Sequence, residues 1–155
     1  MSEPIIEQIS QWIANAVDGK QDPDKSLTLR SVRPKILDWE PSDFKHCDVI
    51  IELVSSETQS TRTTGSRTEL GTWNLYGIIR ELPEDIAADS ALARIAETIR
   101  KTLLAGNSAG RACGGIALII DCPKVDYANF AGGILALVEI KVTYMTALTD
   151  GYIAS

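Results

Sequence analysis

Apolar residues at the start of the chain recur with the helical period. Ile5, Ile9, Trp12, Ile13 and Ala16 form one stripe, which predicts a helix from about Glu3 to Asp18. Ser2 is placed to cap it, and Gly19 to end it in a left-handed conformation. A polar turn follows around Pro23, and the period then shortens to two. Leu27 to Arg33 alternates and predicts a short strand stopped by Pro34. Ile36, Leu37 and Trp39 extend it as an edge strand after a bend, up to a turn at Pro41-Ser42-Asp43.

Cys47 to Val54 (CDVIIELV) is rich in β-branched residues and predicts a strand. Ser55 to Thr68 is dominated by Ser, Thr, Arg and Gly. Glu69 to Glu81 then returns as a second strand with Trp73, Leu75 and Ile79 on one face. Together these predict a hairpin with a long polar tip, beyond the usual loop of about 2–5 residues. Pro83 to Ala105 predicts a helix whose apolar face carries Ala88, Leu92, Ile95, Ala96, Ile99 and Leu103. Glu97 precedes Lys101 by one turn in the favourable order, and Gly106 ends the helix.

Asn107 to Gly115 reads as a loop. Ile116 to Cys122 (IALIIDC) is apolar on both faces and predicts a central strand. Pro123 to Gly133 reads as a turn. Ile134 to Thr146 predicts the longest strand. Ile134, Ala136, Val138, Ile140, Val142 and Tyr144 line one face, with Glu139, Lys141 and Thr143 on the other. Thr149 to Ser155 reads as a flexible tail. The fold class that follows is α+β: a mainly antiparallel sheet of about four to six strands, two helices on one face and a long β-hairpin arm. Residues 1–155 are read as one domain, with the hairpin tip at 55–68.

Composition narrows the function. The chain has 155 residues, 45% hydrophobic and 23% charged, as in an ordinary globular protein. With 15 Lys and Arg against 21 Asp and Glu, the net charge is 15 − 21 = −6. That argues against a surface for phosphate or anionic membrane, which needs clustered positive charge. No apolar run approaches the roughly 20 residues of a bilayer span, and the first residues carry no export signal. Three cysteines (Cys47, Cys113, Cys122) are too few for a disulfide framework and suit a reducing cytosol.

No catalytic, metal or cofactor motif stands out. His46 and Cys47 are adjacent, so in a strand they point to opposite faces. The cysteines lack the close pairing of zinc ligands and read as buried small residues. Gly106, Gly110, Gly114 and Gly115 follow a helix and open a strand, the reverse of a phosphate loop. Glu84, Asp85 and Asp89 suit the positive end of the second helix. Trp12 and Trp39 read as core. Trp73 does too, although it lies at the base of the hairpin. Arg62 and Arg67, beside Glu57 and Glu69, read as a solvated tip or as an arm that orders against another subunit.

The order of elements is similar to that of the tail terminator or tail-completion proteins of long-tailed bacteriophages. The resemblance runs from IIEQISQWIANAV through CDVIIELV…ELGTWNLYGIIRE and DIAADSALARIAETIRKTLL to GIALIID and ILALVEIKVTYMT. It implies a non-enzymatic subunit that forms a ring, a hexamer in that family. Such a ring caps the tail tube, ends its polymerisation and meets the head–tail connector. Its partners would be further copies of itself, the tail tube protein and the connector, with DNA passing through the lumen unbound. Its place would be the virion tail or neck, after assembly in the host cytoplasm. The family's hairpin reaches across to neighbouring subunits. The candidate interface residues here are Glu57, Arg62, Arg67, Glu69 and Trp73, with Glu139 and Lys141 on the last long strand. Two other readings stay open: another neck protein, such as a head-completion subunit or stopper, and a small cytosolic α+β domain that binds a ligand or catalyses.

Overall fold

The computed structural model describes residues 3–32, 47–62, 65–82, 85–130, 132–147 and 150–154. The expected Ser2 cap, His46, the edge strand and turn between Lys35 and Asp43, and Trp39 lie outside these residues.

The chain folds as α+β: two helices and a mixed sheet of five to six strands curled into a half-barrel. In order they are α1 (Ile5–Val17), β1 (Arg30–Val32), β2 (Asp48–Thr61), β3 (Ser66–Ile79), α2 (Ala88–Leu104), β4 (Ile119–Phe130), β5 (Gly133–Ala147) and β6 (Asp150–Ala154). Across the sheet they run β1-β2-β3-β5-β4, with β6 pairing β5 beyond this path. The β1–β2 pair is parallel, and the other pairs are antiparallel.

Both helices contribute to one core. Ile5, Ile9, Ile13 and Val17 of α1 and Leu92, Ile95, Ile99 and Leu103 of α2 are buried there. They meet alternate residues of the sheet: Trp73, Leu75 and Ile79 of β3, and Ala136, Val138, Ile140, Val142 and Tyr144 of β5. Two glycines set how closely these parts meet. A Cβ on Gly77 would lie 2.5 Å from Ile95 Cγ2, and one on Gly71 would lie 2.6 Å from the Trp73 ring. The opposite face of the sheet carries a smaller cluster around Ile50 and Ile78.

Buried polar links fix the periphery. Arg30 Nε and Nη2 donate to the two oxygens of the buried Asp48 at 2.9 and 2.8 Å, tying β1 to β2. Asp22 is also buried. Its carboxylate accepts from the Leu27 N–H at 2.8 Å and the Ser26 hydroxyl at 2.7 Å, and Arg94 Nη1 lies 3.4 Å away. Burial would raise its pKa, but these donors and the arginine together bring it below the usual carboxylate value. Gly19 takes φ 74°, the left-handed turn expected after α1.

Several expectations need correction. α1 starts at Ile5 with Pro4 in the cap position and no side-chain cap. The first strand starts at Arg30 rather than Leu27, and its parallel pairing makes the sheet mixed. Most of the polar stretch from Ser55 is not a tip: β2 runs on to Thr61 and β3 begins at Ser66. A ladder needs only backbone partners, so hydroxyl residues serve where both faces are wet. α2 starts at Ala88 rather than Pro83, and Glu97 pairs with Arg100 at 3.0 Å instead of with Lys101.

The strand expected at Ile116 to Cys122 is β4, which starts at Ile119, passes through Pro123 and lies at an edge. A register shift between Asp121 and Lys124 accommodates that proline. The expected tail contains a strand, β6, paired to the end of β5.

Candidate assembly interface

Three strands run on together past Leu53 and Trp73 to the hairpin end of the sheet. β2 and β3 stay paired out to Thr61↔Arg67, and β3 and β5 out to Ser66↔Ala147. The hairpin is therefore backed by β5 along its whole length. Most of the β2 segment beyond Glu52 is exposed, whereas Ser66 and Glu69 of β3 are buried.

A polar lock holds this extension together. Thr58 Oγ1 on β2 donates to Glu69 Oε1 on β3 at 2.9 Å. Arg67 Nε on β3 lies 2.8 Å from the same oxygen and donates to Thr146 Oγ1 on β5 at 3.0 Å. Tyr144 lies beside it, and burial, with the Glu69 charge next in weight, pushes its phenol up to about 12.

The expected interface residues divide by this geometry. Glu57 and Arg62 are exposed, on the outer strand and at the turn. Arg67 and Glu69 belong to the lock inside the chain. Trp73 is fully enclosed, and its Nε1 donates to Ser10 Oγ at 2.8 Å, so in this structure it is a core residue of the α1 contact. Glu139 and Lys141 are half-buried on the face away from the helices. Glu139 sits in register between Asn74 and Lys124, and Lys141 between Thr72 and Asp121. Each thus has an opposite charge as a cross-strand neighbour within its own sheet.

Sequence reasoning missed the sheet edges. β1 pairs with β2 only as far as Ile50, so the outer edge of β2 beyond it has no strand partner among the described residues. β4 forms the other edge. Of the five large hydrophobic residues exposed among the described residues, Leu53 and Val54 lie on β2 and Ile119 and Tyr127 on β4. The signal was present in the alternation of Val125, Tyr127 and Asn129, but Pro123 hid it.

Among the described residues no group of His, Cys, Asp or Glu is placed to hold a metal, and no helix is long and apolar enough to cross a membrane. The three cysteines are free and buried. Burial pushes the thiols of Cys47 and Cys122 up to about 11 and that of Cys113 to about 12. All three pack within the core cluster as small apolar groups. No protein-family model matches the chain, and no curated protein matches it.

Proposed function

We propose that the chain is a ring-forming structural subunit, a phage tail terminator that caps the tail tube, ends its polymerisation and meets the head–tail connector. The observation that carries this reading is the β2–β3–β5 extension, with its exposed outer strand beyond the helix-covered core. In this reading the β2–β3 hairpin is the arm of a mainly antiparallel sheet. Glu57 and Arg62 are the residues it offers to a neighbour, and the protein is not an enzyme. A ring needs two different surfaces on each copy, and the sheet has two unlike edges. The net charge of −6 suits a lumen through which DNA slides without sticking.

The test is mass by light scattering, followed by negative-stain imaging with and without the matching tail tube. Closed rings, alone or on tube ends, are expected. A chain that stays monomeric and ignores tube ends overturns the reading.

A further inference from the structure

The β2 edge beyond Ile50 and the β4 edge beyond Pro123, which have no strand partner among the described residues, match one another. We propose that the β2 edge of one copy, Ile51–Glu57, pairs antiparallel with the β4 edge of the next, Lys124–Asn129, so that the sheet continues from subunit to subunit. The inference deepens the ring reading above, but it concerns self-association alone and is tested without a tail tube.

The backbone comes first. Arg30 N–H donates to the Cys47 C=O on the β1 side of β2. Backbone groups alternate sides along a strand, so those of Val49, Ile51 and Leu53 also point away from β3. On the opposite edge, the Asn107 side chain donates to the Ile120 C=O at 2.9 Å and accepts from the Ile120 N–H at 3.0 Å. Ile120 therefore faces away from β5, where its register partner is Val142. Val125, Tyr127 and Asn129 pair with Val138, Ala136 and Ile134, also even-numbered, and so face outward too. Asn107 closes the β4 edge at Ile120, and Pro123 has no N–H to give. What stays free is the stretch after Pro123. On β2, the stretch without a strand partner among the described residues starts after Ile50.

The side chains then fit one register. Leu53 pairs with Trp73 and so lies on the helix side of the sheet; Tyr127 pairs with Ala136 and lies on the same side. Setting Leu53 (44% exposed) against Tyr127 (55% exposed) buries both. A register shift follows Leu53, so Glu57 stands against Leu70, three steps along β3 from Trp73. Lys124 stands against Glu139, three steps along β5 from Ala136. The same register therefore brings Glu57 opposite Lys124, both on the face away from the helices. Lys124 has Glu139 as its cross-strand neighbour and a 3.4 Å contact with Asp126, both Lys124 and Asp126 being exposed, and Glu57 has no ion pair among the described residues.

Direction agrees as well. β2, β3, β5 and β4 alternate in direction, so β2 and β4 of one chain are antiparallel. A rotation about a ring axis along the strands keeps that sense, so the contact is head-to-tail and can close. Neither edge stretch contains a proline, one of the usual protections of a free edge.

One introduced cysteine per variant tests the register, the three native cysteines being buried. Leu53→Cys and Tyr127→Cys are prepared separately, and circular dichroism verifies their fold. Opposed residues of a ladder lie about 5.5 Å apart at Cα, within disulfide range. On mild oxidation the mixture should cross-link as a heterodimer and neither variant alone should; the double variant should give a ladder that stops at a closed ring. Cross-linking of Leu53→Cys with itself, or none in the mixture at the highest soluble concentration, overturns the proposal. Lys124→Glu should weaken self-association about tenfold or more, and adding Glu57→Lys should restore it. If the mixed cross-link forms but rings ignore tail tubes, the edge pairing stands and the terminator reading falls.

Discussion

The apolar part of the sheet under the helices and its polar extension are built on the same three strands, yet different forces hold them. In the covered part, Trp73, Leu75, Val138 and Ile140 are removed from water by α1 and α2. Each such side chain is worth about 1.5–3 kcal/mol when fully buried. In the extension, β2 contributes Ser55, Ser56, Thr58 and Ser60, and cohesion comes from the ladder and from one buried carboxylate with its donors. One region is stabilised by what it hides. The other is ordered by neighbours and keeps an edge to offer.

Substitutions can break this contrast, and the largest effect belongs in the covered part. Trp73→Ala removes the largest side chain fully buried among the described residues and the donor to Ser10 Oγ, and should cost about 3–5 kcal/mol, read from the urea midpoint. Gly77→Val should cost about 1–3 kcal/mol by driving against Ile95, and should lower the thermal midpoint.

Glu69→Gln should have a local effect. It weakens the lock to Arg67, a loss of about 1–3 kcal/mol. Hydrogen exchange should quicken at Thr58 to Thr61 more than at Leu75. Equal acceleration at both places would mean that the two regions open as one.

Acid should act on the periphery of the covered part. The Asp22 carboxyl is held below its ordinary value, so the stability it supplies is present above that value and is lost as pH falls through the lowered one. Urea midpoints of the native chain should fall more steeply with acid than those of Asp22→Asn. The smallest effect is expected for Glu57→Ala, an exposed change on the extension. It should move stability by no more than about 0.5 kcal/mol, measured on the monomer at low concentration.

Legibility in the sequence follows the same division. Ile5, Ile9 and Ile13 announced α1, and the alternation from Ile134 to Tyr144 announced β5, because each element has one dry side. Ser55 to Thr61 carries no such contrast, so a paired strand looked like a loop. Pro123 looked like a stop, whereas on an edge it costs no ladder bond. Trp73 and Glu69 stood out as chemistry near the hairpin, but their partners are Ser10 and Thr58, one of them 63 residues away. Separations of that kind leave no mark on local pattern. The candidate edges came from pairing, which only the fold reveals.

The lock between Arg67 and Thr146 spans 79 residues. At a synthesis rate of about 5–20 residues per second, the ribosome needs several seconds to pass from one to the other. Throughout that interval β3 has emerged without the strand that will flank it, and its β5 side lies open to any other extended chain. A newborn copy therefore waits, half-zipped, for its own later segment. A chaperone that shields Trp73 to Ile79 during that wait would raise the yield of folded chains without touching the finished protein.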